Sequence, residues 1–345
     1  MKKTLNTLAI ATASMITTGA MAATTNMENP LFIPTEGQFY SKTSFGMMYK
    51  KADHTLALKK KDHDGAVEFP VWRFSQDFGY GINDRLSTYL SLGWTQNDDI
   101  DRYGAHRARL GLNYRIFQDE QDFVWDVYGE AYMGGLSKMT GAYDLGKGFK
   151  YDNFSSGRWG AVLGTKFGKT WDKFTAAVYA EYLQIFGNHN NKIGLNTAQE
   201  VASGITMGMI GFPDEISVDL KSTKEILAGV SGLYQFNDKW SLGGGFKFIE
   251  HTDNGVKDIH TKLNAPANPA LEPVKQAVVQ NLLDKTHNMK DGWDEYYLTL
   301  VLANQVTDTV QLSVYAEYVF DDSHSQSQNG TDAKAELGVR MNARF

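Results

Sequence analysis

Ala333-Lys-Ala-Glu-Leu-Gly-Val-Arg-Met-Asn-Ala-Arg-Phe345 closes the chain and alternates without a break. Ala333, Ala335, Leu337, Val339, Met341, Ala343 and Phe345 take every second position. Lys334, Glu336, Gly338, Arg340, Asn342 and Arg344 take the others. Successive side chains of a strand point to opposite faces, so one face here is wholly apolar and the other carries four charges. The stretch is a β-strand with two very different surfaces.

Similar segments fill the chain before it, and the connections between them sort by length. Short polar turns fall at Asn83-Asp84, Asp119 to Asp122, Lys169 to Asp172, Asn237 to Lys239 and Thr307 to Thr309. Long polar segments lie between them, at about 51–65, 97–104, 136–156, 188–222, 251–291 and 321–331. Strict alternation of short and long connections predicts twelve antiparallel strands with all short turns at one end, closed into an all-β barrel. Hairpin partners must show the same face. The turns accordingly pair Phe117 with Val124, Ile116 with Trp125, Phe167 with Phe174, Phe236 with Trp240 and Leu302 with Val314. The first turn is awkward, since matching Tyr80 with Leu86 needs a five-residue connection. Glu215 to Leu220 also alternates. It either extends the eighth strand or belongs to an extra hairpin, which would raise the count to fourteen.

Outward aromatics fall into two bands. Phe39, Tyr80, Phe123, Trp125, Phe167, Phe174, Phe236, Trp240 and Phe345 lie near the short turns. Tyr49, Trp72, Trp94, Trp159, Tyr182, Phe248, Tyr296, Tyr318 and Phe320 lie near the long connections. Two girdles flanking an apolar band suit amphipathic rings at two membrane interfaces. A soluble sandwich has no reason to sort its aromatics by height.

Met1-Lys2-Lys3, the apolar stretch Leu5 to Ile16 and the A-x-A site Ala20-Met21-Ala22 form a three-part secretory leader. The expected organisation is a signal peptide over 1–22, an irregular lead-in over 23–37 with Pro30 and Pro34, and the barrel over 38–345. Two of the 34 basic residues leave with the leader, so 32 face 40 acidic ones and the net charge is −8. That sign disfavours nucleic acid as a partner. Cysteine is absent, which excludes a disulfide scaffold. No later stretch approaches the run of about 18 apolar residues that a membrane helix needs. The mean hydropathy of −0.38 is compatible with barrel strands, where each lipid-facing residue is diluted by a lumen-facing one.

Leader, strand alternation and terminal Phe345 together resemble a Gram-negative bacterial outer-membrane β-barrel, at the level of the class and with no particular family. The resemblance implies secretion through the inner membrane, residence in outer-membrane lipid and both termini in the periplasm. It also implies passage through periplasmic chaperones to the barrel-assembly machinery, with Leu337, Val339, Met341 and Phe345 as the assembly signal.

Function must then come from the lumen or the outer loops. Twelve strands about 4.8 Å apart and tilted about 40° give a backbone diameter near 24 Å, and inward side chains leave roughly 10 Å or less. Arg107, Arg109, Arg115, Asp126, Glu130, Arg340 and Arg344 are the candidate lumen-lining residues. Arg115 is expected to pair with Asp126, whereas Arg109 stands across from Tyr132 and so offers a free charge. An excess of basic groups would favour small anionic or zwitterionic solutes in a narrow passive channel. The alternatives are a surface or adhesion barrel with a closed lumen, and a hydrolase at the outer rim. All eight histidines (His54, His63, His106, His189, His251, His260, His287 and His324) fall on the long-connection side. They show no tight ligand spacing and no motif of a rim enzyme, so no catalytic residue, metal site or cofactor is assigned. Leu271, Val274, Val278, Leu282 and Leu283 recur at helical spacing in the longest connection, which predicts a short amphipathic helix.

Overall fold

The computed structural model describes residues 26–52, 71–97, 102–119, 122–134, 140–144, 148–151, 157–187, 189–251, 256–287, 293–320 and 331–345. The expected leader, residues 1–22, lies outside them. In chain order the strands are β1 (Phe39–Ala52), β2 (Val71–Asn83), β3 (Leu86–Asn97), β4 (Arg102–Gln118), β5 (Phe123–Met133), β6 (Thr140–Asp144), β7 (Gly148–Tyr151), β8 (Trp159–Trp171), β9 (Phe174–Ile185) and β10 (Asn191–Leu195). They continue with β11 (Glu200–Ala202), β12 (Ile205–Thr206), β13 (Glu215–Leu220), β14 (Thr223–Gln235), β15 (Trp240–His251) and β16 (Val256–Ile259). Helix α1 (Glu272–His287) follows, then β17 (Trp293–Gln305), β18 (Val310–Phe320) and β19 (Thr331–Arg344).

Twelve of these strands close into one barrel in the order β1-β19-β18-β17-β15-β14-β9-β8-β5-β4-β3-β2. Every pair around the ring is antiparallel. The last residue seals the seam. Phe345 N donates to Phe39 O at 2.8 Å, Phe39 N donates back at 3.1 Å, and the two rings lie 6.1 Å apart. Closure removes the unpaired edges that a hydrocarbon environment would not tolerate.

The facing expected from alternation holds. Leu163, Val178, Leu300 and Leu337 stand on the outer surface, 68, 51, 52 and 56% exposed. Their strand neighbours Tyr179, Thr299 and Glu336 turn inward and are partly or wholly buried. No aqueous surface would leave such a continuous apolar belt bare. Of the two aromatic bands, Phe39, Tyr80, Trp125, Phe167, Phe174, Phe236, Trp240 and Phe345 are exposed at the short-turn end. Trp72, Trp94, Trp159, Tyr182 and Tyr318 are exposed toward the other.

Three turns differ from the expected register. β8 and β9 run on to pair Trp171 with Phe174, so Phe167 faces Val178 rather than Phe174. Asp172 adopts φ +44°, a left-handed geometry that short polar side chains tolerate and that shortens the turn to two residues. Between β4 and β5 a bulge at Ile116 lets Phe117 meet Trp125. Ile116 and Phe117 both stand outward there. A second bulge at Ile82 pairs Tyr80 with Thr88 instead of Leu86. Bulges absorb the odd residue and keep each apolar face on the outer side of the barrel.

The long connections build a second structure at their own end of the barrel. β16-β13-β10-β6-β7 form a five-stranded sheet, and β11 pairs with β12. Glu215 to Leu220 therefore neither extends a barrel strand nor raises the count to fourteen; it is the β13 strand of this cap. Ile193, Leu195, Met207, Ile210, Phe212, Ile216, Val218, Leu220 and Val278 are buried together. Leu271, Val274 and Val279 of the predicted helix pack on the same cluster, so α1 covers the cap sheet. The side chains of Leu282 and Leu283 lie outside the described residues.

Candidate functional site

The lead-in is not a loose tail. Residues 26–37 enter the short-turn mouth of the barrel and cross it from wall to wall. Asn26 Nδ2 donates to Ser241 Oγ at 2.8 Å, and its Oδ1 accepts from Gln311 Nε2 at 2.8 Å. Asn29 reaches Thr175 at 3.3 Å on β9, two strands along the ring from Ser241. Lys166 Nζ donates to the Pro30 carbonyl at 2.7 Å, and Arg115 donates to the Leu31 carbonyl at 2.6 Å. Leu31 itself is buried with Val124 and Ala177, an apolar plug in a polar tube. Further on, Gly37 N donates to Gly81 O at 2.9 Å, where the segment joins β1.

Glu28 is the centre of this attachment. Its carboxylate accepts from Arg340 at 2.7 Å, Asn342 at 2.8 Å and Ser313 at 3.0 Å, with Lys42 Nζ at 3.9 Å. Its side chain is almost fully buried. A buried carboxylate persists only when paired and hydrogen-bonded, as this one is.

Beyond the plug lies a cavity of about 530 Å³. Pro30, Phe32, Ile33 and Pro34 bound it on the plug side, and Arg107, Arg109, Glu130, Glu181 and Tyr89 are among its walls. The expected Arg115–Asp126 pair is present, with Nε to Oδ1 at 2.8 Å. Arg109 does stand opposite Tyr132 in register, yet it is not free: its guanidinium turns to Glu130 at 3.3 Å. Side chains as long as Arg and Glu reach diagonal neighbours, which a backbone register does not count. Arg107, like Arg344, has no ion pair among the described residues, and its Nε is buried without a hydrogen-bond partner. Arg340 serves Glu28 and lies 4.7 Å over the Tyr315 ring. Arg344 donates to the Asp308 carbonyl at 2.6 Å and belongs to the short-turn rim.

A feature missed in the sequence shapes these walls. Five inward tyrosines each sit directly opposite a glycine on the next strand: Tyr40 and Gly79, Tyr89 and Gly111, Tyr128 and Gly164, Tyr179 and Gly229, Tyr315 and Gly338. A Cβ at Gly164 would fall 2.2 Å from the Tyr128 ring, and one at Gly111 2.4 Å from that of Tyr89. Each ring lies flat over its glycine rather than projecting toward the axis, so aromatic bulk does not close the lumen. Lying flat also brings the hydroxyl to a carboxylate on the following wall, from Tyr128 to Glu181 at 2.7 Å and from Tyr89 to Glu130. Alternation gives the inward Tyr and Gly positions, but all five pairs lie between strands joined by long connections, whose length sets no register, so the sequence alone does not match them.

Of the eight histidines, His54, His63 and His324 lie outside the described residues, as do the side chains of His106 and His287. His251 joins Glu225 and Glu295, each at 3.3 Å. His189 and His260 converge on Asp219 in the cap, although 30 and 41 residues separate them from it. No tight spacing in the sequence announces that cluster.

With a closed twelve-stranded barrel, an apolar outer belt and a polar lumen in view, comparison with known proteins gives the same fold. The structure resembles the COG4313 outer membrane channel from Pseudomonas putida F1 with a TM-score of 0.55 over 91% of this chain and 97% of that one, at 12% identity. The fold is that of the Gram-negative outer-membrane β-barrels. The NanC porin aligns less closely, with a TM-score of 0.44 over 88% of this chain and 98% of that one, at 8% identity. OmpT of Vibrio cholerae gives 0.38 over 91% and 99%, at 9% identity. No protein-family model matches the chain, and no curated protein matches it.

Proposed function

We propose that this barrel is a narrow outer-membrane passage for small anionic or zwitterionic solutes, stoppered at its periplasmic mouth by its own lead-in. The cavity carries the reading. Its barrel walls carry charged and hydroxyl-bearing side chains, it is bounded at one end by a segment that is not part of the barrel, and its tyrosines are held flat against the wall. A barrel meant only as a surface scaffold needs no such clearance. On this reading the short turns and both termini face the periplasm, the cap faces outward, and Leu337, Val339, Met341 and Phe345 are the assembly signal. The Pseudomonas protein of the same fold is an outer membrane channel, which agrees with this use of the fold.

Selectivity rests on Arg107 rather than on a ring of arginines, because Arg109, Arg115 and Arg340 each hold a carboxylate. A unit charge about 7 Å from a permeating ion contributes roughly 0.6 kcal/mol in water, or a factor near three. The same charge favours an anion and disfavours a cation by that factor, so Arg107→Gln should lower the anion-to-cation permeability ratio by about sevenfold in reversal-potential recordings. Arg109→Gln also removes one positive charge, leaving Glu130 unmasked, so it should lower the ratio by a similar factor. An unchanged ratio in a conducting Arg107→Gln barrel would remove Arg107 from the filter. A protein that never conducts, with or without its lead-in, would leave the closed surface barrel as the reading.

A further inference from the structure

The cap brings together three potential metal ligands from two separate connections, two from the one between β9 and β14 and one from that between β15 and β17. His189 precedes β10, Asp219 lies near the end of β13, and His260 follows β16 directly. His189 Nδ1 is 2.5 Å from Asp219 Oδ2, and His260 Nε2 bonds the same oxygen. The three donor atoms all lie within 4.8 Å of one another. Asp219 is buried while both imidazoles are exposed, so the carboxylate is fixed and the histidines face solvent. The Asn190 backbone N–H donates to the other carboxylate oxygen at 3.3 Å. That bond holds the carboxylate's orientation as an outer-shell partner of a metal ligand does.

We propose that His189, Asp219 and His260 form a binding site for one divalent transition-metal cation of the zinc class at the outer surface of the cap. Two imidazoles and one carboxylate are the ligand chemistry of zinc and its neighbours rather than of calcium or magnesium, which prefer all-oxygen shells. Ligand bonds of about 2.0–2.2 Å in a tetrahedron place donors roughly 3.3 Å apart. Each imidazole therefore has to withdraw by under about 1 Å from the carboxylate, a shift that two exposed side chains can make. Metal binding needs the lone pair of His189 Nδ1 and of His260 Nε2, so each ring takes up the metal as the neutral tautomer protonated at its other nitrogen, the proton being exchanged through solvent. Three protein ligands leave a fourth position open to the outside. Binding would also pin the connections carrying β10, β13 and β16 to one point, stapling the cap.

The test uses the full barrel in detergent, without a histidine tag and after chelator treatment, titrated with Zn²⁺ by calorimetry and with Co²⁺ by visible absorption. One equivalent should bind, and Co²⁺ should give the intense visible bands of a low-coordinate nitrogen and oxygen site. Loss of an outer-shell partner weakens metal sites by about 10–100-fold, so loss of a ligand should cost at least about 100-fold. That loss is expected for His189→Ala, His260→Ala and Asp219→Asn, with heat-modifiable migration confirming an intact barrel. The exposed histidine variants carry the test if Asp219→Asn disturbs the cap. His251→Ala, outside the cluster, should bind as the parent does. Absence of stoichiometric binding, or binding that survives both histidine substitutions, would overturn the site and leave a hydrogen-bonded latch in the cap.

Discussion

Leu300→Arg should strip the barrel of much of its stability, while Thr299→Arg one residue earlier should be borne. Leu300 stands near the middle of β17, more than half exposed on the outer belt. An arginine at the membrane midplane on the lipid face costs about 2–4 kcal/mol, so the folded-to-unfolded ratio in bilayers should fall by about 30-fold or more. Thr299 points inward, where its hydroxyl already donates to Glu317 at 3.2 Å. An arginine there meets a carboxylate and lumen water instead of hydrocarbon. Denaturant unfolding in liposomes should separate the two variants cleanly, and the pair Val178→Arg and Tyr179→Arg should repeat the pattern on β9. Equal losses on the two faces would discard the inward assignment of every lumen residue named above.

Glu28→Lys should detach the lead-in. Removing one partner from a buried, hydrogen-bonded charge pair costs about 3–5 kcal/mol when the other charge must stay in place. Here the substitution would set a third cation beside Arg340 and Lys42. The barrel wall cannot move away, since its strands are bonded on both sides. The lead-in can, because it holds on through a few side-chain bonds and the burial of Met27 and Leu31. The chain has no native cysteine, so Asn26→Cys with Ser241→Cys gives an unambiguous cross-linking readout. That cross-link should form readily in an otherwise unaltered barrel and fall sharply when Glu28→Lys is added. Equal yields would show that Glu28 does not hold the plug.

What could be read from the sequence followed from what is periodic. Strand alternation from Ala333 to Phe345, repeated along the chain, carries the barrel, its twelve strands and the Arg115–Asp126 pair. Local exceptions were harder. Lys169 to Asp172 reads as a polar turn, but β8 continues through Lys169 and Thr170 because Asp172 can take a left-handed backbone. The bulges at Ile82 and Ile116 leave no mark in composition. Contacts remote in sequence were invisible. Glu28 meets Arg340 across 312 positions, and a proline-containing segment looks the same whether it hangs free or fills a pore. The cap cluster failed to show for the same reason, since strand pairing in a second sheet sets its ligands side by side.

Single-channel recording in planar bilayers, on the chain from residue 23 and on the same chain lacking residues 26–36, tests the stoppered passage most directly. The intact chain should give small or rare conductance steps. Removing the segment deletes Glu28, Leu31 and the two prolines that bound the cavity, and should give steps several-fold larger from a barrel that still migrates as folded. Steps of the same size from both proteins, or silence from a folded barrel without its lead-in, would contradict it.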